Sequence, residues 1–213
     1  AVLGANDGLV STASLMIGVA AVRSEQSFLI TAGAAGIAAG AMSMAVGEYV
    51  SVRSQNDIEE SDRLLEIEHL ALDPDGEFEE LVHIYIERGL SRELAVQVAT
   101  EMHKKDPLEA HLRDELGHHP HSKAHPVQAS VASALSFAIG GFVPFLAVFA
   151  PSVGKISISI IAFTMAGLAI AGFVGARIAG SRVIVPTLRV LIGGCLGMAI
   201  TAGIGQIFHA TVA

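Results

Sequence analysis

"LGANDGLVSTASLMIGVAAV", residues 3–22, is apolar enough to sit in lipid, yet it carries a carboxylate, Asp7, near its start. An acid at the centre of a membrane helix costs about 2.5–3.5 kcal/mol on insertion scales. Either the segment lies outside a bilayer, or the charge has a task. Composition decides for the bilayer: 52% of the 213 residues are hydrophobic, 16% are charged and none is Trp. The mean hydropathy of +0.56 is too high for an ordinary soluble domain.

Working outward, four more stretches reach the roughly 20 apolar residues that a helix needs to cross a hydrocarbon core. The five expected spans are about 1–22, 28–52, 127–150, 156–178 and 184–208. The expected fold class is therefore all-α: a polytopic membrane protein with five transmembrane helices and a helical insert between the second and third. Its parts are helices 1–2 (1–53), the insert (54–126) and helices 3–5 (127–213). "RSEQS" and "APSVGK" are turn material. A cleavable signal peptide is not expected, since the start lacks a basic region and the first apolar run is too long. The abrupt start suggests further residues upstream.

Charge sharpens this division. The insert holds 18 of the 21 acids and seven basic residues, a net charge of −11, which leaves +3 for the rest. Such an insert repels phosphate and attracts cations, so nucleic acid is excluded as a partner. The loops after spans one and three hold only Arg23 and Lys155, whereas Arg177, Arg182 and Arg189 flank the fourth connection. The positive-inside rule then places the insert in the cytoplasm. A single cysteine, Cys195, rules out an internal disulfide and any multi-thiolate metal site; it reads as a small apolar residue.

Within the insert, residues 56–72 read as a helix with Ile58, Leu64, Leu65 and Leu72 at intervals, broken by "DPDGE" and resumed over 77–88. Ser91 reads as the N-cap of a helix carrying Leu94, Val98 and Met102 on one face. "DPLEAHLRDELG" reads as a short helix stopped by Gly117, and "GHHPHSKAHP" as a linker. Small residues crowd the spans, with Gly36 and Gly40 in GxxxG register, a pattern that lets helices approach closely in lipid.

Only Asp7 and Glu48 are acids within the spans. On the second span, Gly33, Gly36, Gly40, Met44 and Gly47 share a face, and Glu48 lies one turn beyond Met44. A face of glycines, a thioether and a carboxylate should meet another helix or a pore. Carboxylate with thioether suits a divalent transition metal better than sodium.

The strings "GANDGLVSTASLMIGVA" (4–20) and "AAGAMSMAVGEYVSVRSQNDIEESD" (38–62), followed by an acidic helical insert and three more spans, resemble the vacuolar iron transporter family of ferrous iron and manganese exporters. The resemblance implies that Asp7 and Met44 line an ion path at a homodimer interface, and that metal leaves the cytosol in exchange for protons. It also implies no enzyme activity and no prosthetic group. A carboxylate that binds either metal or proton gives exchange a physical basis. Plant members carry a glutamate where Gly36 stands here, which leaves Glu48 as the substitute candidate for proton coupling.

The resemblance further implies that the insert binds metal through Glu66, His69, Glu77, Glu80, His111 and Glu115. Their spacings agree: 66/69 and 77/80 are i,i+3 and 111/115 is i,i+4, so each pair can share a helical face. Carboxylate with imidazole suits Fe2+, Mn2+ or Zn2+ rather than calcium. The bland reading is a solvated acidic face, the usual fate of Glu-rich helices, and Glu68, Glu79 and Glu101 are expected to be only that. His118, His119, His121 and His125 read as metal capture or as polar linker. A rival reading is a membrane-anchored di-iron oxidase or metal sensor, since "EIEH" (66–69) and "ELVH" (80–83) are Glu-x-x-His motifs. The expected location is a bacterial inner membrane, or a vacuolar membrane in a eukaryote.

Overall fold

The computed structural model describes residues 2–22, 25–118, 124–150 and 156–212, with side chains to 207. His119, His121, Arg23 and Lys155 lie outside the described residues. Every regular element among those described is helical, and five helices are long and apolar enough to cross a membrane. Each such helix satisfies its own backbone, which lipid demands. The protein is an all-α polytopic membrane protein.

The helices are α1 (Val2–Val22), α2 (Gln26–Leu72), α3 (Pro74–Glu87), α4 (Arg92–Lys105), α5 (Pro107–Asp114), α6 (Pro126–Leu146), α7 (Ile156–Ile178) and α8 (Ile184–Val212), with a 3-10 turn at Ala147–Phe149 after α6. The second span and the first insert helix were expected as separate elements; they form one helix of 47 residues. Residues 53–56, "RSQN", contain neither Gly nor Pro, and the Arg53–Asp57 pair at i,i+4 supports helix there.

Contacts divide the chain into a membrane unit (1–49 and 127–213) and an insert unit (50–126). In the membrane unit the core gathers around α1: Ala13, Met16 and Ile17 pack with Leu29, Ala147, Val148, Ile160 and Met198. α1 meets α6 at backbone distance. A Cβ at Gly8 would collide with the Phe137 carbonyl oxygen, and one at Gly140 with that of Ala5. Three glycines of that α2 face meet other helices, Gly33 against Phe145 and Met16, Gly36 against Leu15, and Gly40 against the Phe137 ring, whereas a Cβ at Gly47 would meet nothing within 4 Å.

In the insert unit Leu81, Val82, Tyr85, Ala95, Ala99 and Ala110 form a closed core. Caps set the helices, Ser91 as expected: it accepts from Leu94, while Asp73 accepts from Gly76 and Asp106 from Glu109. One side-chain expectation changes. α4 turns Ala95 and Ala99 inward and leaves Leu94 exposed, because the small residues permit close approach to α3 and α5. Ile58, Leu64, Leu65 and Leu72 are exposed along α2, since α3–α5 already supply the core.

Asp114 ties α3 to α5. Tyr85 Oη donates to it at 2.8 Å and Arg88 at 2.7 Å, and Arg113 joins from the same helix. Burial works against the charge, but the hydrogen bonds from Arg113, Arg88 and Tyr85 outweigh it and hold Asp114 at about 2, below its ordinary 3.8. A depressed carboxylate stabilises the fold fully above its unfolded value and loses that contribution as pH falls toward its folded value. Allowing for the partly exposed arginines, the contribution is on the order of 1–2 kcal/mol. Hydrogen exchange of α3 and α5 amides should therefore show Asp114→Asn less protected than wild type above pH 4. The difference should shrink as pH falls through about 2; a difference independent of pH would refute the assignment.

Candidate metal centre and ion passage

Two features stand out, one in each unit. In the insert unit, Glu66 on α2, Glu77 on α3, and His111 and Glu115 at α5 each offer a ligand atom, all within 4.8 Å of one another. Tight turns bring them together. Asp73 caps α3 one residue after α2 ends, and Asp106 both receives the end of α4 and caps α5. His111 is fully buried, and its Nδ1 is the hub: it lies 3.2 Å from Glu66, 3.2 Å from Glu115 and 3.7 Å from Glu77.

The electrostatics suit a cation. Burial, and then the charges of Glu115 and Glu77, push the Glu66 carboxyl above the ordinary carboxylate range, against the pull of His111 and His69. His111 Nδ1 has a hydrogen bond with Glu115, while Glu66 Oε1 sits at ion-pair distance from the same nitrogen without a hydrogen-bond partner. An orphaned buried carboxylate oxygen is costly without a cation or proton beside it. Oxygen and nitrogen ligands hold zinc-like ions at about 2.0–2.2 Å, so tetrahedral donors stand about 3.4 Å apart. The distances of 3.2, 3.7 and 3.2 Å from His111 Nδ1 to Glu66, Glu77 and Glu115 lie close to that value.

The other expected ligands lie outside this group. His69 is exposed, with Nδ1 3.8 Å from Glu77, and Glu80 is solvent-facing. The second Glu-x-x-His motif does not converge on the first: His83 pairs with Glu87 at the surface. His118 lies 3.5 Å from Asp62, and His125 is exposed. Sequence spacing passed over His103. Its Nε2 is 3.4 Å from His111 Nε2, and burial first, then His111, holds it below the ordinary histidine range.

In the membrane unit, Asp7 and Met44 line the same two cavities. One, of about 250 Å³, also has Ser11, Thr12, Ser43, Gly36 and Gly40 in its wall; the other, of about 410 Å³, has Asn6, Val10 and Gly193. The Asp7 carboxylate has no hydrogen-bond or ion-pair partner among the described residues. Thr12 Oγ1 is buried and equally unpartnered. Ser11 and Ser43 were legible in principle, since one is i+4 from Asp7 and the other adjoins Met44. Glu48 is half-buried on α2 and lines neither cavity. At Gly36 a side chain would need Leu15 to yield, because a Cβ there falls 2.6 Å from its Cδ2.

A bundle of five apolar helices with a carboxylate in the wall of two cavities, and an acidic helical insert after the second helix, defines a polytopic membrane protein of the ion-handling type. The chain belongs to the VIT family, whose model matches residues 1–206. It is 43% identical over 205 residues to a vacuolar iron transporter of Acanthamoeba castellanii, covering 96% of this chain and 76% of that one. It is 39% identical to vacuolar iron transporter homolog 3 of Arabidopsis thaliana, with 95% and 78% covered. Homolog 5 of Oryza sativa subsp. japonica is 37% identical, with 99% and 80% covered.

Proposed function

We propose that the protein moves a divalent first-row metal, ferrous iron or manganese, out of the cytosol in exchange for protons. The observation that carries this reading is the pairing of Asp7 and Met44 on the walls of the same cavities, in a unit built mostly from apolar side chains. A carboxylate without a protein counter-charge can take a metal ion or a proton, and each displaces the other. The thioether favours transition metals over alkali cations. The relatives' names support iron as cargo.

The working unit is a homodimer, in which a second copy completes the wall of the Asp7 passage. The insert gathers metal on the cytosolic side through Glu66, Glu77, His111 and Glu115, with His69 and Glu80 as outlying carriers. Fe2+, Mn2+ and Zn2+ all suit that donor set. The excess of arginine near the fourth connection supports this orientation, and the membrane is a bacterial inner membrane, or a vacuolar membrane in a eukaryote. An oxidase would need the second Glu-x-x-His motif at the centre, and His83 faces solvent.

Reconstitution in liposomes containing a metal-sensitive dye tests the reading. Uptake of Fe2+ or Mn2+ is expected to rise at least about tenfold when an outward proton gradient is imposed, since one pH unit is worth about 1.4 kcal/mol per proton exchanged. Flux indifferent to the gradient would eliminate antiport, and absence of flux would eliminate transport.

A further inference from the structure

The cluster in the insert contains one imidazole, and an imidazole can ligate through either nitrogen. Which one it uses is set by what holds the other. His111 turns Nδ1 toward Glu66, Glu77 and Glu115. The hydrogen bond to the Glu115 carboxylate needs a proton on Nδ1; a ring that instead ligates an ion through its Nδ1 lone pair carries its proton on Nε2, and a fully buried N–H needs an acceptor. An acceptor at hydrogen-bond distance is on another element: Nε2 of His103, in the last turn of α4, at 3.4 Å. The two rings lie with centroids 5.6 Å apart, and Phe78 of α3 meets His103 edge-on at 5.4 Å, which limits its rotation. The Asp106 turn between α4 and α5 places these two histidines opposite each other.

We propose that His103 is a positioning residue of the metal centre, accepting the Nε2–H of His111 so that the His111 Nδ1 lone pair points at the ion held by the three carboxylates. The proposal rests on the cluster being a metal site, and it adds what selects the ligating nitrogen. Outer partners of this kind change metal affinity by about 10–100-fold when removed. A residue that merely filled space beside Phe78 would be replaceable by phenylalanine.

Three measurements on the full-length protein in detergent decide the matter. Mn2+ titration calorimetry should show His103→Phe weakened about 10–100-fold, while His103→Gln, which keeps an acceptor, stays within about threefold of wild type. Nitrogen-15 spectra of the Zn2+-loaded wild type, with His111 assigned from His111→Gln, should show Nδ1 ligated and Nε2 protonated. Undiminished binding by His103→Phe, or equal weakening of both variants, overturns the proposal, because either result makes shape rather than hydrogen bonding the cause. Ligation through Nε2 of His111 in the wild type overturns it without any variant. Failure of the underlying metal site looks different: wild-type protein itself would show no saturable Mn2+ or Zn2+ binding.

Discussion

Replacing Asp7 by asparagine is expected to cut proton-driven metal flux at least about 30-fold, equivalent to about 2 kcal/mol of lost stabilisation of the ion in transit. Asparagine keeps the volume and one acceptor oxygen but neither the charge nor the capacity to trade a metal for a proton. Asp7 lines both cavities that contain Met44 and has no protein counter-charge among the described residues, so no neighbour stands ready to replace it. Metal binding to the insert should be unchanged in the same variant, because Asp7 and the four-residue cluster belong to different units. Liposome flux and calorimetry on one preparation separate the two effects. Near-normal flux would remove Asp7 from the passage.

Glu66→Gln should move two properties in opposite directions. Affinity for Mn2+ is expected to fall at least about 100-fold, the upper end of what losing an outer partner costs, since here a direct ligand is removed. The metal-free protein should become more stable, by about 1 kcal/mol, because the substitution removes a buried charge crowded by Glu77 and Glu115. Thermal melts in chelator and titration calorimetry measure the pair. A residue kept for packing would lower stability and affinity together, and that outcome would strike Glu66 from the ligand set.

The spans were legible because lipid makes helix formation a local problem: each segment must bond its own backbone, so hydropathy and length suffice. Ser91 announced a helix start, and Gly117, at φ +69°, a stop, for equally local reasons. The unbroken run through 53–56 was less visible. The change from apolar to charged sequence resembles a boundary, yet nothing in "RSQN" breaks a helix.

The donor set divides differently. Glu66 and Glu80 have the same local credentials, each in an i,i+3 pair on an acidic helix; only folding buries one and exposes the other. His103 and His111 lie on two helices interrupted at Asp106, so helical periodicity does not relate them and their meeting is a property of the turn. Residue type and periodicity thus determined a five-span helical membrane protein carrying an acid in its first span and an acidic insert, because those features follow from local hydrogen bonding and transfer to lipid. Tertiary structure alone decided which carboxylates converge on one imidazole and which side chains share a cavity with Asp7. Those relations depend on how helices cross, and crossings are fixed by contacts distant in sequence.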